Sequence, residues 1–513
     1  MKLASIEQMR KAEEIAQSYG ISESYMMSKV ADAVCERACE ILFNHPHPKA
    51  IVICGNGKNG YDALLSCTCL HKNNIYTAIF AVAPLPQVDG LLDGFYNLTY
   101  IKDKIDLNSF KNELKEAYLV IDGLFGNGLS HSVSGINADI ISSLNTAHAQ
   151  SLDMHVLSID LPSGLNADNG TIWGNCVVAD QTLCCGLVKI GLFQNDGPLY
   201  SGKVSVCDIG LPAQAAQDIK ITLIDRDLAW QLLPARSPLI CKNGFGKALI
   251  IGGSASYVGA PVLAACGAAK SGAGITTLVQ PQSIYLSTVA AVPFATHIPA
   301  DDLDGHFTAA SAFLVSGYLD KYNAVAIGCG IALERQALQF MWHILQKASQ
   351  TAISTVVDAG ALSMLAQTEN AFDQLDGVMA LTPHAGEMSC LTGLDVDYIN
   401  QNKLSVASQY AALWNKVILL KGPNTVIAAP NGECYVSSFA NSALAVGGSG
   451  DVLAGSIASL AAQGLGLFDA CALAVYLQGA SAALCVKENG HRGITPDVMV
   501  NYIPLAFSQL ERE

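Results

Sequence analysis

Residues 50–62 read Ala-Ile-Val-Ile-Cys-Gly-Asn-Gly-Lys-Asn-Gly-Tyr-Asp. The first five residues form an apolar run of the length of a buried strand, three glycines follow within six positions, and a helical stretch comes next. A strand, a glycine turn and a helix predict a βαβ unit and hence a mostly parallel sheet. A helix N-terminus favours anions, so the turn is a candidate phosphate-binding loop, although such a turn also occurs without a ligand.

The same alternation of apolar strands, glycine turns and helices continues along the chain on both sides of residues 209–227, a polar stretch that is predicted to be irregular. We place a domain boundary in that stretch, which gives two α/β domains, 1–215 and 220–513. Helices are predicted at 5–19, with Ser5 and Gln8 as a capping box, and at 450–463 and 471–486. Strands are predicted at 77–83, 118–122, 156–160, 204–206, 248–251, 276–279, 324–327, 355–358, 378–382, 417–420 and 425–428.

Composition supports this fold class. The chain has 513 residues, of which 51% are hydrophobic and only 14% charged, as expected for parallel sheets buried on both faces. A net charge of −15 argues against a broad nucleic-acid surface. The mean hydropathy of +0.32 raises the question of a membrane protein. The longest charge-free stretch, residues 271–300, is interrupted by glycine, proline and histidine, so we expect no membrane span.

The sixteen cysteines show no Cys-x-x-Cys spacing. We interpret them as small buried hydrophobic residues in a reducing compartment rather than as a metal site, and we expect a cytoplasmic protein. No secretory or transit pattern is visible at the N-terminus.

Polar residues follow three of the predicted strands in the first half. Asn59, Asp122 and Ser163 occupy corresponding places, and ligands bind at the carboxyl ends of strands in an open parallel sheet. Such oxygen ligands suit a large monovalent cation better than zinc, but the same residues are also common in ordinary turns. Asp160 lies at a strand end before a fixed turn and is a candidate general base. Lys189 is interpreted either as a counter-charge for ligand phosphate or as a solvated loop lysine.

The second half contains Gly-Gly-Ser-Gly-Asp at 447–451, followed by Val-Leu-Ala-Gly. Backbone N–H groups at a helix start form an anion hole, and Asp451 beside them can accept a proton from a hydroxyl. The pairing predicts phosphoryl transfer to an alcohol, with a capped glycine turn as the alternative. No Walker P-loop is present in the sequence. Lys421, between two strands, and His384, before a helix, are further candidate ligand contacts, or else a surface lysine and a helix cap.

Taken in order, these landmarks resemble those of the bifunctional NAD(P)H-hydrate repair enzymes, and the resemblance covers essentially the whole chain. It implies a Rossmann-like three-layer domain with epimerase activity, fused to a ribokinase-like domain that is an ADP-dependent dehydratase. The landmarks are 55–62, 122–128, 160–164 with Lys189 and Gly191, 251–254, 382–387, 421–425 and 447–455.

The resemblance also implies roles for individual residues, with Asp160 and Asp451 catalytic. Potassium ligands would be Asn59, Asp122 and Ser163. Nucleotide contacts would be Lys421, Gly422, Pro423, Asn424, Thr425 and Gly450. Substrate contacts would be Lys58, Asn59, Gly60, Tyr61, Asp62, Gly126, Asn127, Gly128, Leu129, Ser130, His131, Ser132, Asp160, Ala260, Gly330, His384 and Asp451.

These roles define the expected reaction and partners. The first domain interconverts R and S hydrates of NADH and NADPH with K⁺, and the second dehydrates the S form with Mg²⁺ and ADP or ATP, releasing phosphate and AMP. The partners are small molecules, without nucleic acid or membrane, and a homo-oligomer is expected. Alternatives are a ribokinase-like kinase of a small alcohol, or a first domain that only binds nucleotide or dimerises. Tyr61 replaces a family glycine and adds bulk beside the ligand loop.

Overall fold

The computed structural model describes residues 1–43, 45, 48–85, 97–129, 131–239, 241–351 and 353–512. The chain divides into two compact units, Lys2–Ile219 and Lys220–Glu513, called here the first and second unit.

The first unit alternates strands and helices. Its elements in chain order are β1 (Leu3–Ala4), α1 (Ile6–Ser18), α2 (Glu23–Ile41), β2 (Lys49–Cys54), α3 (Lys58–Lys72), β3 (Tyr76–Ala81), β4 (Asn97–Tyr100), α4 (Lys104–Leu114), β5 (Leu119–Gly123), α5 (Gly135–Gln150), β6 (His155–Ile159), β7 (Gln181–Cys185), β8 (Val188–Lys189), α6 (Gly197–Tyr200) and β9 (Lys203–Cys207). The predicted capping box of Ser5 and Gln8 starts α1.

In the described residues, seven of these strands form a sheet in the order β4-β3-β2-β5-β6-β7-β9, and all neighbours are parallel. Successive residues of a strand point to opposite faces, which β2 shows directly. Val52 packs into a core with α1, α2 and α3, whereas Ile53 packs into another with α4 and α5. The predicted three-layer Rossmann-like architecture is confirmed.

The second unit continues the pattern with a larger sheet. Its elements are β10 (Ile221–Ile224), α7 (Arg226–Gln231), β11 (Lys247–Ile251), α8 (Gly259–Lys270), β12 (Ile275–Pro281), α9 (Tyr285–Ala291), β13 (Thr296–Ala300), β14 (Asp302–Leu303), β15 (His306–Phe307), α10 (Ser311–Ser316), β16 (Ala324–Ile327), α11 (Arg335–Ser349), β17 (Ser354–Val357), α12 (Gly360–Gln367), β18 (Met379–Leu381), α13 (Ala385–Thr392), α14 (Val396–Gln401), α15 (Lys403–Trp414), β19 (Val417–Leu420), β20 (Val426–Ala428), β21 (Cys434–Ser437), α16 (Ser449–Ala462), α17 (Leu467–Asn489), α18 (Pro496–Met499) and α19 (Ile503–Arg512).

Ten described strands form the sheet of the second unit, in the order β10-β21-β20-β19-β18-β17-β16-β11-β12-β13. Strand β20 runs antiparallel to both of its neighbours. Helix α16 lies backbone to backbone against α8, because a Cβ on Gly455 would stand 1.8 Å from the carbonyl oxygen of Ala264. This crossing fixes the position of the N-terminus of α16, which carries Asp451.

Helix α17 is long and apolar enough to cross a membrane by length and composition alone, but 61% of its most apolar window is buried inside the protein. Its residues, Leu473 among them, belong to the main core of the second unit together with those of α16. We therefore describe it as a core helix.

The structure corrects three sequence-based expectations. Residues 209–227 are not uniformly loose, because strand β10 begins at Ile221 and pairs with β21. Strands β4 and β7 of the first sheet and β13 and β21 of the second were not predicted. Two of the sixteen cysteines, Cys35 of α2 and Cys69 of α3, form a disulfide with Cα atoms 5.9 Å apart, so they are not simply buried thiols.

Candidate functional sites

A cavity of about 640 Å³ opens at the carboxyl ends of β2, β5 and β6 in the first unit. Ligand sites are expected at this edge of an open parallel sheet. Several of the expected substrate contacts line it, namely Lys58, Asn59, Asp62, Gly126, Asn127, Gly128, Leu129, His131 and Asp160.

Three other expected contacts lie elsewhere. A Cβ on Gly60 would stand 2.2 Å from the carbonyl oxygen of Gly55, so this glycine is required by close packing within the turn. Tyr61 packs against the core beneath α2 and α3 and lines a smaller neighbouring cavity, so its ring does not fill the main one. Ser132 lies near Gly174. Ser130 is outside the described residues.

Asn59, Asp122 and Ser163 meet around the backbone of Phe125. The Asn59 amide donates to the carbonyl oxygen of Phe125 at 2.9 Å, and the N–H of Phe125 donates to the Ser163 hydroxyl at 2.8 Å. The Ser163 hydroxyl in turn donates to Asp122 at 2.5 Å. The structure thus brings together three residues that come from three separate turns of the sequence.

Asp122 is completely buried. Its described hydrogen-bond donors are neutral, namely the hydroxyls of Ser158 and Ser163 and the N–H groups of Leu124 and Ser163. Burial raises the pKa of Asp122, and these hydrogen bonds offset only part of that rise. A buried carboxylate beside amide, hydroxyl and carbonyl oxygens is a donor set that fits a large monovalent cation.

Asp160 pairs with Lys189 inside the same cavity. The Lys189 amine donates to Oδ1 of Asp160 at 2.5 Å and to the carbonyl oxygen of Cys185 at 2.9 Å, and the lysine is fully buried. Burial lowers the pKa of Lys189, but the charge of Asp160 and its neighbours raises it by more. The lysine is therefore neither solvated nor directed toward a phosphate. It holds Asp160, whose φ of +66° is unusual for a residue with a side chain.

In the second unit, Asp451 lies in the first turn of α16, after Gly448 with a φ of +95°. Its carboxylate meets Asp358 and Cys329, with one ligand atom from each of the three within 4.8 Å of the others. Burial and the charge of Asp358 raise the pKa of Asp451 to about 7. The group is poised to accept a proton near neutral pH, beside the N–H groups of a helix start.

Asp358 is a site residue that the sequence reasoning missed. It directly follows β17, is buried, and accepts hydrogen bonds on Oδ1 from the Thr382 hydroxyl at 2.7 Å and the Lys421 amine at 2.8 Å. The signal was present, because an aspartate after a predicted parallel strand lies at the sheet edge that carries ligands. In the sequence, Asp358 is the last residue of the strand predicted at 355–358.

The amine of Lys421 also lies 3.6 Å from Glu387. A Cβ on Gly450 would stand 3.3 Å from the same amine. Burial lowers the pKa of Lys421, but Asp358 and Glu387 raise it by more. The expected nucleotide contacts Lys421 and Gly450 are thus brought together with Asp451. Asn424, by contrast, is buried and donates to the carbonyl oxygen of Ser437, which shapes the turn between β19 and β20.

His384 begins α13. Its Nδ1 accepts from the N–H groups of Gly386 and Glu387, while Glu387 accepts from the N–H of His384 at 2.8 Å, which is a capping box with a histidine as the cap. The helix-cap interpretation therefore describes its Nδ1, while the Nε2 of the largely exposed ring lies 3.6 Å from Glu387. Elsewhere in the unit, Ala260 and Gly330 are in contact, since a Cβ on Gly330 would stand 2.8 Å from that of Ala260.

Two family models match separate parts of the chain. The sequence model of the family described as NAD(P)H-hydrate dehydratase matches residues 248–505, and that of the family described as YjeF-related protein N-terminus matches residues 23–191. The chain is 32% identical to the bifunctional NAD(P)H-hydrate repair enzyme Nnr of Dictyoglomus turgidum, over 100% of this chain and 99% of the relative. It is 30% identical to that of Thermofilum pendens, over 100% and 97%.

Among solved structures, the chain is similar to the ADP/ATP-dependent NAD(P)H-hydrate dehydratase of Bacillus subtilis co-crystallised with ATP and Mg²⁺, at 30% identity and a TM-score of 0.50. The match covers 57% of this chain and all of that one. A ribokinase-like protein of Enterococcus faecalis, 23% identical with a TM-score of 0.50 over 57% of this chain and 98% of that one, shares the fold. The predicted ribokinase-like architecture of the second unit is confirmed.

Proposed function

Because this chain belongs to the family of bifunctional NAD(P)H-hydrate repair enzymes, we propose that it converts hydrated NADH and NADPH back to the intact cofactors. We assign epimerisation of the R and S hydrates to residues 1–215 and dehydration of the S hydrate to residues 220–513. The observation that carries the dehydratase assignment is the meeting of Asp451, the Asp358–Lys421 pair and the glycine-led start of α16.

In the dehydratase step, hydroxide is a poor leaving group and must first be activated. Asp451 accepts the proton of the substrate hydroxyl. As it does so, the hydroxyl oxygen attacks the terminal phosphorus of ADP, and AMP leaves. The C–O bond then breaks with its electron pair going to phosphate, and loss of a proton from the adjacent carbon restores the double bond. The products are NAD(P)H, AMP and inorganic phosphate.

The nucleotide is proposed to bind between the turn at residues 421–425 and Gly450, with the helix start facing its phosphates. Mg²⁺ would arrive with the nucleotide, and Asp358 and Asp451 are the carboxylates at the site that fit a hard cation. When bound, Mg²⁺ would neutralise charge on the nucleotide phosphates. Ala260, Gly330 and His384 are proposed to contact the hydrated dinucleotide. Either ADP or ATP is compatible with these groups.

In the epimerase step, Asp160 is proposed as the general base, held in place by Lys189. K⁺ is proposed to bind the oxygens of Asn59, Asp122 and Ser163, where it would balance the buried Asp122 charge and fix the loop that carries Phe125. The loops at 58–62 and 126–132 are proposed to hold the dinucleotide. We further propose a cytoplasmic homo-oligomer without nucleic-acid or membrane partners.

The test uses the full chain with a mixture of R and S NADH hydrates, ADP, Mg²⁺ and K⁺, and follows the absorbance of restored NADH. We expect complete recovery with the unmodified chain. Asp160→Asn should stop after the S fraction, at an unchanged initial rate. Asp451→Asn should lower kcat by about 10²–10⁴-fold, because the amide cannot accept the hydroxyl proton, while nucleotide still binds.

Matched controls are Asp153→Asn and Asp320→Asn, two exposed aspartates of the first and second unit, and both should behave as the unmodified chain. Retained turnover in Asp451→Asn would remove Asp451 as the base. Accumulation of a phosphorylated alcohol, in place of inorganic phosphate, would instead support the kinase alternative.

A further inference from the structure

Asp62 is a second carboxyl group in the cavity that contains Asp160. It lies on α3 and its residue is 8% exposed. Its Oδ1 is buried, and among the described residues it has no hydrogen-bond partner. A buried polar oxygen without a partner is costly unless a ligand or a proton satisfies it. The Oδ1 of Asp62 therefore indicates that this side chain binds a proton or a ligand in the cavity.

The charged groups around Asp62 are committed to other partners. Lys58 lies 2.6 Å from Glu23 of α2 and 4.0 Å from Glu13 of α1. Lys189 of β8 pairs with Asp160, which follows β6. Cys185 of β7 lines the cavity beside them. Both lysines are thus paired with other carboxylates, and Asp62 forms no ion pair within the part of the chain that the structure describes.

The surroundings of the two aspartates consequently differ. Burial and repulsion from Asp160 raise the pKa of Asp62 to about 8, with the Glu13 and Glu23 charges adding to the rise and Lys58 opposing it. The cavity therefore offers Asp160, which accepts a hydrogen bond from the Lys189 amine, and Asp62, whose surroundings favour its protonated form. Two carboxyl groups in environments that separate their protonation states form a general base and a general acid.

The substrate chemistry requires such a pair. Water adds to a dihydropyridine so that the hydroxyl is attached to the carbon beside the ring nitrogen. The R and S hydrates differ at that carbon. Their interconversion breaks its bond to nitrogen, so the hydroxyl loses a proton as the C=O bond forms, and the nitrogen gains a proton as the C–N electron pair returns to it.

We propose that Asp62 is the general acid of the epimerase, acting opposite Asp160 on the same ring; this rests on the epimerase function proposed above. Asp160 accepts the hydroxyl proton, Asp62 delivers its proton to the ring nitrogen, and the ring opens to an aldehyde. The aldehyde rotates about its bond to the neighbouring carbon. Asp62 then recovers the proton from nitrogen, Asp160 returns one to oxygen, and the ring closes in the other configuration with no net change in protons.

The test compares the full chain with Asp62→Asn, which keeps the size of the side chain but cannot transfer a carboxyl proton. We measure interconversion of purified R and S hydrates by chromatography, without nucleotide, so that dehydration does not interfere. We expect kcat to fall by about 10²–10⁴-fold with little change in KM. Asp62→Glu should restore part of the rate, and Asp153→Asn serves as the exposed control.

The pH profile separates acid catalysis from a structural or binding role. In the unmodified chain the epimerisation rate should fall as pH rises above about 8, because Asp62 loses the proton that it must donate. The residual rate of Asp62→Asn should lack that fall. Circular dichroism of the full chain checks that the variant folds.

Three results would overturn the proposal. The first is an Asp62→Asn variant with unchanged kcat and a raised KM, which would make Asp62 a substrate-binding group. The second is an alkaline limb that persists in Asp62→Asn. The third, which holds even if that variant does not fold, is an unmodified chain whose rate does not fall above pH 8. Failure of the proposed function is distinct, because the unmodified chain would then not interconvert the hydrates at any pH.

Discussion

The two candidate sites share one arrangement of charges on unrelated sheets. Each has an aspartate after a parallel strand paired with a buried or half-buried lysine, Asp160 with Lys189 in the first unit and Asp358 with Lys421 in the second. Each also has a second aspartate near the start of a helix whose pKa is raised toward neutrality, to about 8 for Asp62 and about 7 for Asp451. In the first unit the lysine-paired Asp160 is the proposed base, whereas in the second unit the proposed base is Asp451, which lies beside the lysine-paired Asp358.

The difference lies in what surrounds the unpaired aspartate. Helix α16 is preceded by Gly447 and Gly448, so its N–H groups are open to a phosphate, and Asp451 in its first turn can work beside that phosphate. Helix α3 also begins after a glycine, Gly57, but the amine of its first residue, Lys58, is occupied by Glu23. Asp62 lies in the second turn of α3 and faces a cavity. Similar pairs of aspartates can therefore serve phosphoryl transfer in one unit and proton transfer alone in the other.

The largest effect on stability is expected from breaking the buried ion pair between Asp160 and Lys189. Lys189→Met leaves the Asp160 charge buried without its partner, and we expect it to lower the free energy of unfolding of the first unit by about 3–5 kcal/mol. Lys421→Met should cost less, because the Thr382 hydroxyl still donates to Asp358. Urea denaturation followed by circular dichroism measures both, with the exposed Lys203→Met as control. Equal costs for the two variants would contradict the comparison.

The pH dependence of the two activities should run in opposite directions. Asp451 must be deprotonated to act as a base, so below pH 7 the dehydration kcat should rise about tenfold per pH unit and level off above it. Epimerisation should instead fall above about pH 8.

Asp358→Asn tests the cause of the raised Asp451 pKa. It removes a negative charge beside Asp451, so the midpoint of the dehydration profile should move to lower pH. Asp320→Asn should leave the midpoint in place. An unshifted midpoint in Asp358→Asn would mean that burial alone raises the pKa of Asp451.

Removal of potassium should affect only one of the two sites. Replacing K⁺ by a bulky organic cation should slow epimerisation several-fold, because the buried Asp122 charge loses its counter-ion, while dehydration of the S hydrate stays the same. Ser163→Ala should give the same selective loss, since it deletes one oxygen ligand and a hydrogen bond to Asp122. Equal slowing of both activities would argue against a cation at Asn59, Asp122 and Ser163.

The smallest effect is expected at the start of α13. His384→Ala removes a helix cap and should lower the free energy of unfolding of the second unit by about 1 kcal/mol. His384→Asn keeps a capping side chain and should recover most of that stability. If the exposed ring also contacts substrate, KM for the S hydrate rises in both variants, and an unchanged KM in His384→Asn would limit the residue to capping.

Sequence patterns predicted much of the sheet because buried parallel strands are continuous apolar runs, as at Lys49–Cys54 and Ala324–Ile327. They missed Gln181–Cys185, which begins with polar residues and contains two cysteines, and Ile221–Ile224, which is short and pairs with a strand some 210 positions later. Pairing over such a distance leaves no local mark in the sequence.

The candidate sites were predicted as sets of residues rather than as geometry. Asp160, Asp451 and the three proposed potassium ligands were identified because polar residues after parallel strands or at helix starts lie where ligands bind. The charged neighbour of each proposed catalytic aspartate was not predicted. Lys189 was assigned to phosphate or solvent, and Asp358 was not assigned at all.

By itself the sequence determined the class of fold, the family and the sheet edge at which the chemistry lies, because periodicity, glycine turns and helix starts are local properties of a chain. Only the tertiary structure decided which carboxyl groups have a lysine partner and which have a raised pKa. Both properties depend on burial and on neighbours distant in sequence: Lys189 holds Asp160 and Lys421 holds Asp358, whereas Asp62 and Asp451 form no ion pair with the described residues and have raised pKa values.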